Sequence, residues 1–563
     1  MDESTARYRW LRGPTLVVAC GLLLAACGPG PTANTNMAPD DKQILRTNSQ
    51  TEPNSLDPGQ QTYDYEGLIG RNTFETLLKP TKDLKDVQGA AASSYDVSSD
   101  GLTYTFHIRS NAKWSDGQSV KASDFVYGWQ RILDPSLAAG YADPFFDGTV
   151  KGGENYSKVD TKDKAALQSY LSALGLSAPD DHTFKVTLQA PAGYFKWIAT
   201  LWVGAPIRKD IVEKYGSDKW ATVPSQVIGN GPFKISEQVP KDHITLVPNP
   251  NYWGDKPHIQ KWIDYFIEDA NQYFAKYQTG DLDVTTVPLA NADLVKSGNL
   301  KNEFHKVAQL DTFWLAMNLT KPPFNNPKVR EAVSRAIDRN ALVNQVAKGF
   351  YIARQTFIPL GMNGYKPELG SAQDFDATKA KAALQASGVT GDVIDKVQLL
   401  TRNTTTNKQL NEFIVNQINT NLGVHWTLQV VDSKSVTGQY LRKGNFQIYG
   451  PDGWGADYPD QQDWYDIFET GGCHGTNWGC WNNKAYDDLV TKADATTKDS
   501  DRQKLYDQAH EMLVNNYVVA FLYNRPAPVI WKPYLQGLTI TPIDEAIYLP
   551  GSVNLTTAYI TNH

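Results

Sequence analysis

Apolar and polar residues alternate along much of the first half of the chain. Leu102, Tyr104, Phe106 and Ile108 take every second position after the turn Ser98-Ser99-Asp100-Gly101. This two-residue period predicts a strand with one buried face. Phe184, Val186 and Leu188 repeat it. Phe233 and Ile235 lead through a polar turn to Ile244 and Leu246, ended by Asn249-Pro250-Asn251, which predicts two further strands. The period then changes. Asn326 before Pro327 offers a cap and a first helical residue, and Val329, Ala332, Val333, Ala336 and Ile337 follow at three- and four-residue spacing. Leu342, Val343 and Val346 extend this stripe to Lys348-Gly349, a helix stop. Residues 410–422 and 502–514 read as two more amphipathic helices. Without a short-period repeat, the pattern is that of a mixed α/β protein.

Length and charge narrow this picture. A chain of 563 residues is too long for one core, so two or more lobes are expected. The 15 Trp, 28 Tyr and 20 Phe exclude a mostly disordered chain and must fill cores or line a cleft. The net charge of −7 argues against a nucleic-acid binder, which needs a basic face. A mean hydropathy of −0.44 fits a soluble body. Arg7, Arg9 and Arg12 precede an apolar run from Leu16 to Ala26, too short for a spanning helix of about 20 residues and suited to an export signal. The run ends Leu24-Ala25-Ala26-Cys27-Gly28, which resembles the bacterial lipobox. The resemblance implies that residues 1–26 are removed and Cys27 carries a lipid anchor. An ordinary cleaved signal with a chance Cys is the alternative. Residues 27–42, rich in Pro, Gly, Asn and Thr, read as a flexible tether. Removal of three Arg with Asp2 and Glu3 leaves a charge near −8.

Two of the four Cys then remain in the body. Cys473 and Cys480, among Gly471, Gly472, Gly475 and Gly479, suggest a small disulfide loop formed in an oxidising compartment. A metal site on Cys473, His474 and Cys480 is the rival, and it has no obvious fourth ligand. Enzyme signatures are missing. There is no Gly-x-Ser-x-Gly elbow, no His-Glu-x-x-His helix and no phosphate-cradling loop, and the nine His are scattered. Asp457, Asp460 and Asp463 in a Pro-containing loop are weak evidence for glycoside chemistry. No cofactor or metal is expected.

Several segments together resemble the extracytoplasmic solute-binding proteins of ABC importers, the peptide and nickel-binding family, with the oligopeptide-binding members most similar. They include Glu52-Pro53-Asn54-Ser55-Leu56-Asp57-Pro58, Ala112-Lys113-Trp114-Ser115-Asp116-Gly117, Gly229-Asn230-Gly231-Pro232-Phe233, Asn249-Pro250-Asn251-Tyr252-Trp253, Ala336-Ile337-Asp338-Arg339 and Gly453-Trp454-Gly455-Ala456-Asp457-Tyr458. Their order matches the family from about residue 43 to the C-terminus. The resemblance implies a periplasmic-binding-protein-like α/β fold (class II, cluster C type): two lobes across a ligand cleft, with an extra inserted domain. The first lobe is expected over 43–84, 183–308 and 515–563, the inserted domain over 85–182 and the second lobe over 309–514. Ligand binding is then expected to close a hinge.

A protein that takes peptides of mixed sequence must grip their extended backbone and their α-ammonium group. By resemblance, Asp457 pairs with the amine, Gly453, Trp454 and Gly455 border the backbone and a side-chain pocket, and Thr62, Tyr63, Asp64 and Tyr65 face the peptide's other edge. Tyr141 aligns with a contact near the ligand's N-terminal end. Tyr63, Tyr65, Tyr141, Trp454 and Tyr458 are thus the cleft aromatics. For Asp457 the alternative is ordinary turn chemistry, and for Trp454 it is core packing. A close relative has a cystine where this chain has Gly455 and Asp311. Basic groups that meet peptide carboxylates are altered, leaving Arg442 or Lys408 as substitutes, and either also reads as a solvated surface charge. The expected partners are an oligopeptide ligand and a separately encoded membrane permease with cytoplasmic ATPases. An oligosaccharide or a nickel complex is the alternative ligand. The chain is expected to act as a monomer, anchored at the outer face of the cell membrane.

Overall fold

The early alternating segments form strands because each can bury only one face. In the computed structural model, which describes residues 36–563, Thr103–Ile108 is a strand with Tyr104, Phe106 and Ile108 buried. Its sheet has the order Ala92–Val97, Thr103–Ile108, Thr183–Thr187, Leu176–Asp180. The inserted sheet therefore takes in residues 183–187, past the boundary expected at 182. Cross-strand pairing of Phe106 with Phe184 explains this, since both rings belong to one core with Trp129. The export signal and Cys27 lie outside the described residues. The expected tether ends earlier than 42. Ala38 is buried, its N–H donates to Ile560 O at 2.9 Å, and Gln43 Nε2 donates to Ala38 O at 2.7 Å.

The first lobe is built on a four-stranded sheet, ordered Ile44–Asn48, Lys261–Tyr265, His243–Pro248, Phe233–Val239. A three-stranded sheet of Val284–Thr286, Ala527–Trp531 and Phe304–Val307 joins it. Asp57, from the family-like segment, is a structural residue. Its carboxylate accepts from Gly59 N, from both terminal nitrogens of Arg131 and from Trp220 Nε1. That set ties the first lobe to the inserted domain through a buried ion pair.

The second lobe rests on a six-stranded sheet ordered Ile352–Ala353, Val519–Asn524, Asp311–Met317, Ile448–Gly455, Gln398–Arg402, Thr427–Val431. Both of its faces are covered. Trp314, Ala316, Val519 and Phe521 enter one core, while Leu315, Met317, Ala520 and Leu522 enter the other. Near-continuous apolar strands follow from such two-sided burial. On one side packs Pro327–Arg335, capped by Asn326 Oδ1 accepting from Lys328 N at 2.9 Å, together with Thr405–Leu422. Asp499–Asn515 packs on the other.

Sheet membership relocates one lobe boundary. Val519–Asn524 belongs to the second lobe and Ala527–Trp531 to the first, so the return crossing is at residues 525–526 and not at 515. The outward crossing spans residues 308–310. Asp311 and Arg525 stand at these two crossings and hold each other. Arg525 N donates to Asp311 Oδ1 at 2.6 Å, and Arg525 Nε lies 3.7 Å from Asp311 Oδ2. Asp311 is also the cross-strand partner of Gly455.

Two outcomes test this framework. Asp57→Ala strands Arg131 in a buried site and should lower the unfolding free energy by about 3–5 kcal/mol, read by urea denaturation. The register predicts that Asp311→Cys with Gly455→Cys forms a cystine on mild oxidation. Persistent free thiols in a thiol-reactive assay would contradict it.

Candidate functional site

A cavity of about 660 Å³ lies between the lobes. Its walls include Asp64, Arg71, Tyr141, Trp202, Asp311, Phe313, Tyr351, Thr406, Trp454, Gly455, Ala456, Asp457, Arg525, Glu545 and Tyr548. This is the size range of small-ligand sites, about 300–1,000 Å³.

One wall is the end of the strand Ile448–Gly455. One edge of this strand pairs with Asp311–Met317, with Asp311, Thr312 and Phe313 opposite Gly455, Trp454 and Gly453. On the other edge Gln398–Arg402 meets only Ile448 and Tyr449. From Pro451 to Gly455 that edge has no strand partner among the described residues. The two glycines differ in purpose. A Cβ on Gly453 would lie 2.6 Å from the Phe313 ring, so this glycine serves close packing. A Cβ on Gly455 would meet nothing within 4 Å and would project into open space, so backbone there is open to approach. Trp454 lines the cavity and also packs on the second lobe's core.

Asp457 follows this strand. Its N–H donates to Asp463 Oδ2 at 2.9 Å, and Ala456 N donates to Leu310 O at 2.8 Å, which fixes the turn. Its Oδ1 accepts from the Tyr141 hydroxyl at 2.6 Å, across from the second lobe to the inserted domain. Tyr141 is held by Phe145 and Trp202, with ring centroids 5.2 and 5.3 Å away. Burial pushes the Asp457 carboxyl up to about 7. The Tyr141 hydrogen bond and Arg71 pull it down, and Asp64 pushes it up. Asp463 is buried behind it and is also driven well up, by burial first and then by Asp457 and Asp466. Burial and the Asp457 charge both push the Tyr141 phenol well up, so it remains a neutral donor.

The other expected residues divide. Asp64 begins the helix Asp64–Thr73 and lines the cavity. Thr62 and Tyr63 do not line it. Tyr63 is 55% exposed and stacks on Tyr65, with centroids 5.3 Å apart. The segment turns into a helix because Glu66 Oε2 accepts the N–H groups of Thr62 and Tyr63, so it offers no strand edge. Tyr458 is fully buried against Phe145. Lys408 sits in the first turn of Thr405–Leu422 and Arg442 is exposed after Val436–Leu441; neither lines the cavity. Its guanidinium groups belong to Arg71 and Arg525. Arg71 Nε meets Glu545 Oε1 at 2.9 Å over the Trp202 ring, and Arg525 lies 4.7 Å from the Phe313 centroid. These arginines carry no local sequence signal. Only the packing of the helix and the return crossing brings them to the cleft. Cys473 and Cys480 form a disulfide in a loop that does not line the cavity, with the His474 ring beside Cys480 Sγ at 3.5 Å.

Comparison with known proteins gives the wider setting. The family model described as bacterial extracellular solute-binding proteins, family 5 Middle, matches residues 86–475. The periplasmic oligopeptide-binding protein OppA of Salmonella typhimurium is 30% identical over 540 residues, covering 93% of this chain and 94% of that protein. The oligopeptide-binding protein OppA of Bacillus subtilis is 30% identical over 553 residues, covering 95% and 97%. Among solved structures, Haemophilus influenzae OppA in complex with RPPGFSPFR superposes with a TM-score of 0.73 at 26% identity, covering 93% of this chain and 100% of that one. The unliganded open form of the periplasmic murein tripeptide-binding protein MppA gives 0.76 at 27% identity, covering 94% and 99%. These are solute-binding proteins and not enzymes, and the lobed fold of this chain superposes on theirs. The chain belongs to the bacterial extracellular solute-binding proteins of family 5.

Proposed function

We propose that this protein captures oligopeptides in the interlobe cavity and delivers them to a membrane permease driven by cytoplasmic ATPases, while lipid on Cys27 holds it at the outer face of the membrane. One observation carries the reading: a half-buried carboxylate, Asp457, stands beside an unpaired strand edge on a cavity wall. An extended peptide satisfies both features at once. Its backbone adds to the free edge at Gly453 to Gly455, and its α-ammonium meets the carboxylate. Trp454 and Tyr141 border the first side chains. The likeness to oligopeptide-binding relatives along nearly the whole chain supports this assignment. Arg525 and Arg71, not Lys408 or Arg442, are the cavity's guanidinium groups, and each is already paired with a carboxylate, Asp311 and Glu545.

Binding an ammonium requires ionised Asp457. Its carboxyl titrates at about 7 in the unliganded cavity, beside Asp64, Asp463, Tyr141 and Arg71. A bound cation lowers that value, so capture releases a proton. Affinity should rise with pH up to about 7 and fall by as much as about tenfold per unit below it. Calorimetry in buffers of different ionisation enthalpy reads both the affinity and the proton. Asp457→Asn should weaken unblocked peptides about 10–100-fold, flatten this pH profile and leave N-acetylated peptides little changed. Mass spectrometry of co-purified ligand should show peptides. A glycan or a nickel complex there would overturn the reading.

A further inference from the structure

The cavity's charges do not balance. Five carboxylates line it (Asp64, Asp311, Asp457, Asp544 and Glu545) against two guanidinium groups, Arg71 and Arg525. Three of the five are already matched at close range. Glu545 holds Arg71 and accepts from Ser552 Oγ. Asp311 holds Arg525 and its N–H. Asp544 accepts three backbone N–H groups, from Thr541, Gly551 and Val553. Asp457 has the neutral Tyr141 hydroxyl. For Asp64 the structure shows no hydrogen bond to its carboxylate and no cation within 4 Å; Arg71 and Arg525 act on it only from farther away.

Asp64 is exposed to solvent and so available to a ligand; desolvation by the cavity walls pushes its carboxyl up, and Arg525 and Arg71 oppose this. It is the first residue of a ten-residue helix, Asp64–Thr73, where the helix dipole favours an anion. The capping duty at this terminus is taken by Glu66, whose carboxylate accepts from Asn54 N, Thr62 N and Tyr63 N. Asp64 is thereby left free for the cavity. Its charge also raises Asp457, which places the two carboxylates in one electrostatic neighbourhood. A single α-ammonium on Asp457 would leave Asp64 uncompensated.

We propose that Asp64 is a specificity residue that selects peptides carrying a second positive charge, a lysine or arginine side chain on the first or second residue beside the free amine. This rests on the peptide reading above. The basic side chain meets Asp64 while the amine meets Asp457, so the cavity takes a dicationic N-terminal end.

The test is calorimetry at pH 7.5 and low salt with two peptide lengths (about three and five residues). At each length, all-alanine, Lys-first, Lys-second and Glu-first peptides are compared. In the wild type a Lys peptide should bind about tenfold more tightly than its all-alanine counterpart and the Glu peptide more weakly. Asp64→Asn should bring the Lys-to-Ala affinity ratio close to one. Asp64→Glu should restore part of it. Equal affinities for Lys and Ala peptides in the wild type, or a Lys advantage that survives in Asp64→Asn, would overturn this inference and leave the peptide reading intact. No binding of any peptide by the wild type would remove both.

Discussion

The electrostatics of the cleft turn on the partial removal of Asp457 from water. Its folded-state carboxyl titrates near 7 against an ordinary 3.8, so the fold disfavours the ionised form. Stability contributed by the protonated group is lost as pH rises from about 4 to about 7. Two features limit that loss: the Tyr141 hydroxyl from the inserted domain and Arg71 at a distance. Neither supplies a full counter-charge at close range; in the proposed function a ligand ammonium would, and the burial that costs the empty protein stability would then favour the ligand. The inserted domain earns its place in this scheme because it carries Tyr141, the side chain that reaches the second lobe's carboxylate.

The crossings between lobes are governed by a second buried acid. Asp311 sits opposite Gly455 at the end of the strand pair that forms the cavity wall. Asp311 turns to Arg525 on the return crossing. An ion pair thus links the two crossings. Asn524 strengthens it, donating to Thr312 Oγ1 and to Asp311 O. The arrangement also removes Arg525 from the cavity's free charge, which leaves the site acidic.

The elements themselves were largely legible in the sequence. Alternation at Tyr104, Phe106 and Ile108 marks a strand because one face is buried, and Asn326-Pro327 marks a helix start because a cap oxygen and a preset φ act within a few residues. Lobe boundaries were not legible to the same degree. Val519–Asn524 pairs with Asp311–Met317, some two hundred residues earlier, and no local pattern announces such a pairing. The segment Thr62-Tyr63-Asp64-Tyr65 illustrates the same limit, since Glu66 converts it from an apparent edge into a helix start.

By itself the sequence determined the classes of element, the family-like segments and one acid, Asp457, in a turn between a strand and a Pro-containing loop. These depend on neighbours within about ten residues, where backbone sterics and side-chain capping act. Only the tertiary structure decided which charges face one another. It brought Arg71, Arg525, Asp64 and Asp457 to one cavity, left Lys408 and Arg442 off it, and assigned each arginine to its own carboxylate. The reason is physical: charge compensation in a cleft is settled by distances of a few ångströms between residues hundreds of positions apart, and spacing along the chain carries no record of those distances.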